Sequence, residues 1–239
     1  RLTVWLEKKI PERSQVGTGP LIAHEDFPWA EALERDWRQI RGELDQVLVH
    51  YDALPNIQDI STDQYGLTQD DRWKTFFFHA FGDRFDGNCQ RCPKTAALLD
   101  RVPGITTAFF SILGPGKHLR PHRGYYKGVV RYHLALRVPE DRMACGINVG
   151  GELVHWSEGT GFFFDDTYRH EAWNRASQVR IVLLLDVLRP LPFPYSLLNK
   201  MVIYGTARLT PIRDARARHD AWERNFEEMM TRKAREQSS

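Results

Sequence analysis

Cysteine is scarce in this chain: Cys89, Cys92 and Cys145 are the three among 239 residues. An odd count without regular spacing excludes a secreted disulfide framework and points to a reducing compartment. Cys89 and Cys92 have the spacing of half a zinc site. No second cysteine pair follows, so they read as structural or free thiols. Long apolar runs are also missing. None approaches the ~20 residues needed to cross a bilayer, and Ile181–Leu188 is short and interrupted by Asp186, as a buried strand would be. No signal peptide is seen. The chain begins at Arg1 without a Met, and an N-terminal anchor ahead of it is compatible with the sequence. Net charge is small: 33 Lys and Arg against 31 Asp and Glu give +2. That is too little to imply a nucleic-acid partner, so contact with an anionic surface must come from local patches. Repeats and low-complexity tracts are absent.

What is present is apolar and aromatic. At 42% hydrophobic and 12% aromatic the chain can bury a substantial core, and its length suits one domain over 1–239. Three parts are expected: a helical part over 1–70, a β core over about 71–190, and a helical extension over 191–239. In the first, Asp26 is placed to cap a helix from Pro28, with Trp29, Leu33, Trp37, Ile40, Leu44 and Val47 on one face over about five turns. The spacing predicts strands at Trp73–Phe81, Thr106–Leu113, Val129–Val138, Gly146–Val149, Glu152–His155, Gly161–Phe164 and Val179–Leu188, and a short helix over Lys94–Asp100. Turn residues such as Gly114-Pro-Gly116 and Gly150-Gly151 separate them. Many short strands with close turns predict an antiparallel barrel or jelly roll. Beyond Pro190, Leu191-Pro-Phe-Pro194 is extended and Leu197–Tyr204 is apolar. Thr210-Pro211 opens a charged helix with Ile212, Ala215, Trp222, Phe226 and Met229 roughly on one face. Such a helix either covers the core or docks on a membrane or partner.

Two histidines carry the chemical interest. His122 lies at a turn ahead of a strand, and His170 in a loop after another. Each alone reads as an ordinary polar residue. Together, beside inferred strands that carry Arg131 and Arg180, they are candidate metal ligands, and imidazole suits Fe(II), zinc or copper alike. The common iron triad adds a carboxylate two residues after its first histidine; here that residue is Gly124. Asp165 and Asp166 are close to His170, with Asp166 read as a turn or supporting residue rather than a ligand. Alternation puts Val129, Arg131, His133 and Ala135 on one face of their strand. A buried Arg needs an anion, either a structural partner or a bound carboxylate.

These residues resemble the aspartyl/asparaginyl β-hydroxylase family of Fe(II)- and 2-oxoglutarate-dependent dioxygenases. The resemblance runs from about Trp73 to Pro190. It rests on the His122-Arg-Gly124 turn, Arg131-Tyr-His133, the segment Phe164-Asp-Asp-Thr-Tyr-Arg-His170, and an Arg ten residues beyond that His. It implies a double-stranded β-helix (jelly roll, cupin-like), mainly β with flanking helices. It also implies iron held by His122 and His170 without a carboxylate, which accounts for Gly124. Arg180 would then pair with the distal carboxylate of 2-oxoglutarate, helped by Ser111, while Arg131 and His133 hold the end nearer the metal. The implied reaction consumes 2-oxoglutarate and O2, releases succinate and returns a hydroxyl to an unactivated C–H bond.

Val129 stands where animal members carry a substrate-gripping Arg, and their tetratricopeptide region is not in this sequence. An Asp or Asn side chain in a folded protein is therefore the less expected target. Thr106–His118, His122–Leu134, Phe164–Asn174 and Ser196-Leu-Leu-Asn199 are more similar to the bacterial branch that hydroxylates acyl chains of lipid A and ornithine lipids. That similarity implies a membrane-lipid substrate, peripheral membrane association, and a cytoplasmic location at the inner face of the cytoplasmic membrane. Trp73, Tyr125, Tyr126, Lys127 and Val129 are candidate substrate contacts, with Lys117, Arg120 and Arg123 adding charge to the same loop. An amino acid, peptide or small-metabolite hydroxylase is one alternative, and a non-catalytic cupin-like binding module another.

Overall fold

A computed structural model describes residues 2–61, 65–80, 83–206 and 210–237. Two antiparallel sheets face each other. The larger runs in the order β1 (Leu21–Ile22), β9 (Gly161–Phe164), β6 (Val129–Arg137), β11 (Arg180–Leu188), β4 (Ile105–Leu113), β2 (Trp73–Ala80) and β3 (Asp83–Arg84). The smaller has β5 (Lys117–His122), β10 (His170–Asn174), β7 (Cys145–Val149) and β8 (Glu152–Val154). This is the jelly roll expected from the sequence. The helices are α1 (Leu2–Arg13), α2 (Ala30–Arg35), α3 (Trp37–Leu48), α4 (Ile57–Ile60), α5 (Asp86–Arg91), α6 (Pro93–Leu99), α7 (Tyr195–Thr206) and α8 (Thr210–Gln237).

Strand alternation sorts the large sheet into two cores. Val130, Tyr132, Leu134 and Leu136 of β6 share one face with Ile181, Leu183, Leu185 and Val187 of β11. They pack with Leu33 of α2, Ile40, Leu44 and Val47 of α3, and Ala96 and Leu99 of α6. The other face, with Phe77, Phe109, Ala135, Val182 and Leu184, meets Leu119, Cys145, Ile147, Val149 and Ala172 of the small sheet. Glu34 ties α2 to the large sheet, accepting hydrogen bonds from the Tyr132 hydroxyl (2.9 Å) and the Gly161 N–H (3.0 Å).

Several local expectations need correction. The single long helix from Pro28 is two helices. At Asp36 the backbone leaves helical geometry (φ −97°, ψ 13°), and no proline or glycine marks that break in the sequence. Asp26 lies in a separate 3-10 turn, His24–Asp26, and caps nothing. The strands β5 and β10 were not anticipated. Phe81, the expected end of β2, lies outside the described residues.

The terminal helix α8 covers the β core. The Trp222 Nε1–H donates to the Ala53 carbonyl (2.8 Å), its ring is edge-on to Phe76, Phe226 is buried, and His219 lies against Phe85 at 3.7 Å between ring centroids. The side chains of Ile212, Ala215 and Met229 lie outside the described residues. The three cysteines are buried and free. Burial pushes the Cys89 thiol up to about 11 and Cys92 higher still.

Candidate active site

The two histidines meet across a strand pair. His122 ends β5 and His170 begins β10, and the two are direct cross-strand partners. Their ring centroids are 4.1 Å apart. A β-bulge creates this arrangement. Leu119 is opposite Ala172 and His122 is opposite His170, so three steps on β5 match two on β10. Strict alternation would send Leu119 and His122 to opposite faces; the extra residue returns His122 to the inside. Pro121 is tolerated there because β5 is the edge strand of the small sheet.

Both rings are held in one tautomer. His122 Nδ1 lies 2.7 Å from the Arg120 carbonyl and His170 Nδ1 lies 2.9 Å from the Tyr168 carbonyl. A carbonyl can only accept, so each Nδ1 carries the hydrogen and each Nε2 keeps its lone pair. Burial lowers both pKa values, that of His170 to about 3 with His122 beside it contributing. Two neutral imidazoles side by side, each with a free Nε2 lone pair, could hold a metal ion.

The space beside Gly124 is filled. A Cβ there would collide with the Asp166 carboxyl group, and the Gly124 N–H donates to the Asp166 carbonyl (2.7 Å). A glycine is thus required where the common triad has its acid. Asp166 in turn sits 3.2 Å from Arg131, whose guanidinium also makes a two-pronged contact with Asp186 (2.7 and 2.9 Å). Burial pushes the Asp166 carboxyl up, against the pull of Arg131. Asp165 is completely buried against Arg189 (2.7 Å), and Lys127 approaches it at 3.4 Å. These ion pairs hold the turn that leads into His170.

Arg180 differs from Arg131. It is 2% exposed, on the inner face of β11, and no carboxylate pairs with it among the described residues. Its guanidinium lies over the Trp156 ring at 4.5 Å and reaches the Ser111 carbonyl only at 3.4 Å. Its Nε has no hydrogen-bond partner. Burial lowers its pKa to about 10, and the adjacent Cys145 thiol, itself raised by burial, supplies no charge at neutral pH. His133 is buried between Phe162, Phe164 and Trp156 with neither ring nitrogen bonded. Burial and the charges of Arg180 and Arg131 hold it far below its ordinary pKa. An uncompensated buried cation beside an orphaned imidazole fits a small carboxylate-bearing molecule.

The sequence-derived residues therefore divide. His122, His170, Ser111, His133 and Arg180 all face the space between the sheets. Trp73 joins them, its Nε1–H donating to the Ser111 hydroxyl (3.1 Å). Arg131 faces the same way, and its charge is met by Asp166 and Asp186, the structural pairing. Among the expected mouth residues Tyr125 is exposed, while Tyr126 packs against α1 and α7. Lys127 is drawn to Asp165, and Val129 is part-buried at the start of β6. Sequence reasoning missed Trp156, which sits in the loop after β8 where no alternation exists to flag it. It also missed Asp186 as the partner of Arg131, although Asp186 interrupts an otherwise apolar strand.

The jelly roll with an inward-facing imidazole pair and a buried, unpaired arginine defines the class by its architecture. Comparison with known proteins gives the family. The sequence pattern described as Aspartyl/Asparaginyl beta-hydroxylase matches residues 34–190, and the chain belongs to that family of hydroxylases. The match begins well before Trp73 and takes in α3 and the anchoring Glu34. The chain is 42% identical over 226 residues to an ornithine lipid ester-linked acyl 2-hydroxylase of Rhizobium tropici, covering 94% of this chain and 80% of that one. It is 33% identical over 165 residues to the human aspartyl/asparaginyl beta-hydroxylase, covering 67% of this chain and 21% of that one. Within the family the similarity is to the bacterial lipid-hydroxylase branch. Among solved structures, the Cupin_2 domain of an XRE family transcriptional regulator from Enterobacter cloacae aligns at a TM-score of 0.35 and 14% identity, covering 50% of this chain and 99% of that one.

Proposed function

We propose that this protein is an Fe(II)- and 2-oxoglutarate-dependent dioxygenase. Its substrate in this reading is a membrane lipid of the ornithine-lipid or lipid A type, hydroxylated on an acyl chain next to the carbonyl at the inner face of the cytoplasmic membrane. The observation that carries the dioxygenase reading is Arg180: a buried guanidinium without a carboxylate, on the same inner surface as the imidazole pair. The lipid substrate is supported by the extent of similarity to the rhizobial lipid hydroxylase and by Val129, which leaves the mouth without the Arg expected for an acidic substrate.

The donor set fits iron. Two neutral nitrogen donors without a carboxylate would leave room at the metal for a keto acid and O2. His122 and His170 would hold the metal, and Arg180 the distal carboxylate of 2-oxoglutarate beside Ser111. When bound, iron and the keto acid supply the oxidation that places one oxygen atom of O2 on the substrate carbon and the other in succinate, with loss of CO2. The chain's residues orient and enclose. The carbonyls of Arg120 and Tyr168 fix the imidazole planes. Trp156, buried beneath Arg180, keeps water from the guanidinium and so strengthens its hold on an anion. Asp166, Arg131 and Asp186 form a rigid wall beside Gly124.

The test is direct. Purified protein with Fe(II), 2-oxoglutarate and ascorbate is expected to release succinate, and His122→Ala to abolish that release; turnover that survives the substitution refutes the iron assignment. Lipid extracts of cells with and without the gene are expected to differ by lipid masses carrying one added oxygen atom. Unchanged lipids would move the substrate to an amino acid, peptide or small metabolite.

A further inference from the structure

Helix α7 is apolar on both of its sides. Its inner side packs Leu198 and Val202 against Leu6 and Ile10 of α1. Its outer side presents Leu197, Met201 and Tyr204, which are 51%, 59% and 40% exposed and follow one another at i, i+4 and i+7. A helix that is hydrophobic all round is ordinarily buried. Just ahead of α7, Phe193 is 80% exposed. On α1, Val4 and Trp5 are exposed, and Trp5 stacks on Tyr195 at the start of α7. A contiguous apolar surface of this kind marks a place of contact.

The charge around this face is mixed on α1, where Glu7 and Glu12 stand among Lys8, Lys9 and Arg13 and Glu12 pairs with Lys9 (2.9 Å), and is basic around α7 and the His122 loop. No Asp or Glu occurs from Val187 to Arg213, nor from Arg101 to Pro139, the stretch that contains His122 and its loop. Lys200 lies on the outer side of α7, Lys8 is exposed on α1, and Arg13 sits over the Tyr195 ring at 5.4 Å. The face is also joined to the site. Tyr126, four residues after His122, packs into the α1–α7 cluster. Asn199 of α7 donates to the Gly128 carbonyl at 2.7 Å. Tyr125, exposed at the tip of the same turn, is the neighbour of that anchor. On the terminal helix α8, Trp222 and Phe226 are spent on the β core.

We propose that the α1–α7 face docks the protein on an anionic bilayer. Phe193, Leu197 and Met201 enter the acyl layer, and Lys8, Arg13 and Lys200 lie at the phosphates. Apolar insertion combined with clustered cations is how amphipathic surfaces hold to anionic membranes, and here it would set the site's mouth at the depth of the acyl chain. The choice of a membrane as partner rests on the lipid-hydroxylase reading; the location of the face does not.

Flotation of the full chain with vesicles of phosphatidylglycerol and phosphatidylethanolamine tests it, with Leu197→Gln/Met201→Gln and Lys200→Glu as variants. Both apolar positions are exposed, so the fold tolerates the change. Wild-type protein is expected to float with anionic vesicles and much less with phosphatidylcholine. The double variant is expected to lose at least about tenfold in partitioning, the factor that ~1.4 kcal/mol represents. It should keep the wild-type rate on detergent-dispersed lipid. Variants that float like wild type overturn the face. Wild type that hydroxylates dispersed lipid without floating overturns docking and leaves the lipid reading standing. Wild type that floats through this face but hydroxylates no lipid upholds docking and refutes the substrate. A dimer in light scattering that the double variant splits, without vesicle binding, assigns the face to a second copy and overturns the proposal.

Discussion

Replacing Arg180 with Met is expected to stabilise the protein in the absence of small molecules while removing its response to 2-oxoglutarate. The pocket lowers the Arg180 pKa from 12.5 to about 10, chiefly through burial. At ~1.4 kcal/mol per pH unit, this corresponds to about 3 kcal/mol by which the fold disfavours the charged side chain. The sign follows from linkage. A cation whose folded pKa is depressed costs stability fully below pH 10, and the penalty fades only as pH rises from about 10 towards 12.5. Met removes the penalty but forfeits the contact with Trp156, worth about 2 kcal/mol when desolvated. The balance is about 1 kcal/mol in favour of the variant, or roughly 2–4 °C in Tm for a chain of this size. In calorimetry, wild-type protein should gain about 2.7 kcal/mol with 2-oxoglutarate at a hundredfold excess over its Kd, and Arg180→Met should gain nothing. A ligand-free variant melting several degrees below wild type would mean that the guanidinium has an internal partner. An undiminished response to 2-oxoglutarate would show that the keto acid is not held by Arg180.

Gly124→Asp should overpack the turn against Asp166, lowering stability by about 1–3 kcal/mol, and Asp166→Ala in the same chain should recover much of the loss in a thermal melt. Asp165→Ala leaves the fully buried Arg189 without its carboxylate. A cost of about 3–5 kcal/mol is expected, with a smaller one for the double replacement Asp165→Ala/Arg189→Met, measured by urea unfolding. Asp70 is held at about 2: burial raises its pKa, but hydrogen bonds from Lys117 and Arg72 outweigh it. Its contribution is thus present above about pH 4 and lost as pH falls towards 2. The Tm difference between wild type and Asp70→Asn should therefore shrink across that window, and a constant difference refutes the pairing.

The five longer strands of the large sheet were legible because alternation and turn residues state them directly, whereas the two-residue β1 and β3 are too short to show a period. Gly161–Phe164 was found to the residue, and Val129, Arg131, His133 and Ala135 share the face that alternation assigned to them. The strands that carry the two histidines were not legible. Lys117–His122 is cationic, contains Pro121 and is bulged, so neither composition nor period marks it as β. The break at Asp36 was hidden because the apolar spacing of Trp37, Ile40 and Leu44 continues the register of Trp29 and Leu33 across it. Tyr126 read as a mouth residue from its place beside the His122 turn, yet its ring turns to Leu6 and Val202 of two helices far away in sequence.

Residue types and local periodicity pointed to an antiparallel barrel or jelly roll and drew attention to His122, His170, Arg131, Arg180 and Gly124, because each is a matter of neighbours within a few positions; the family resemblance narrowed these to a jelly roll with a two-histidine site. Which arginine stays unpaired was decided elsewhere. Arg131 and Arg180 look alike in the sequence, each on a buried strand, but strand register places Asp186 beside Arg131, and among the described residues no carboxylate pairs with Arg180. The facing of His122 towards His170 was decided in the same way, by one extra residue in β5 measured against β10. Both outcomes depend on which strands lie side by side and in what register, and no local pattern in the chain carries that information.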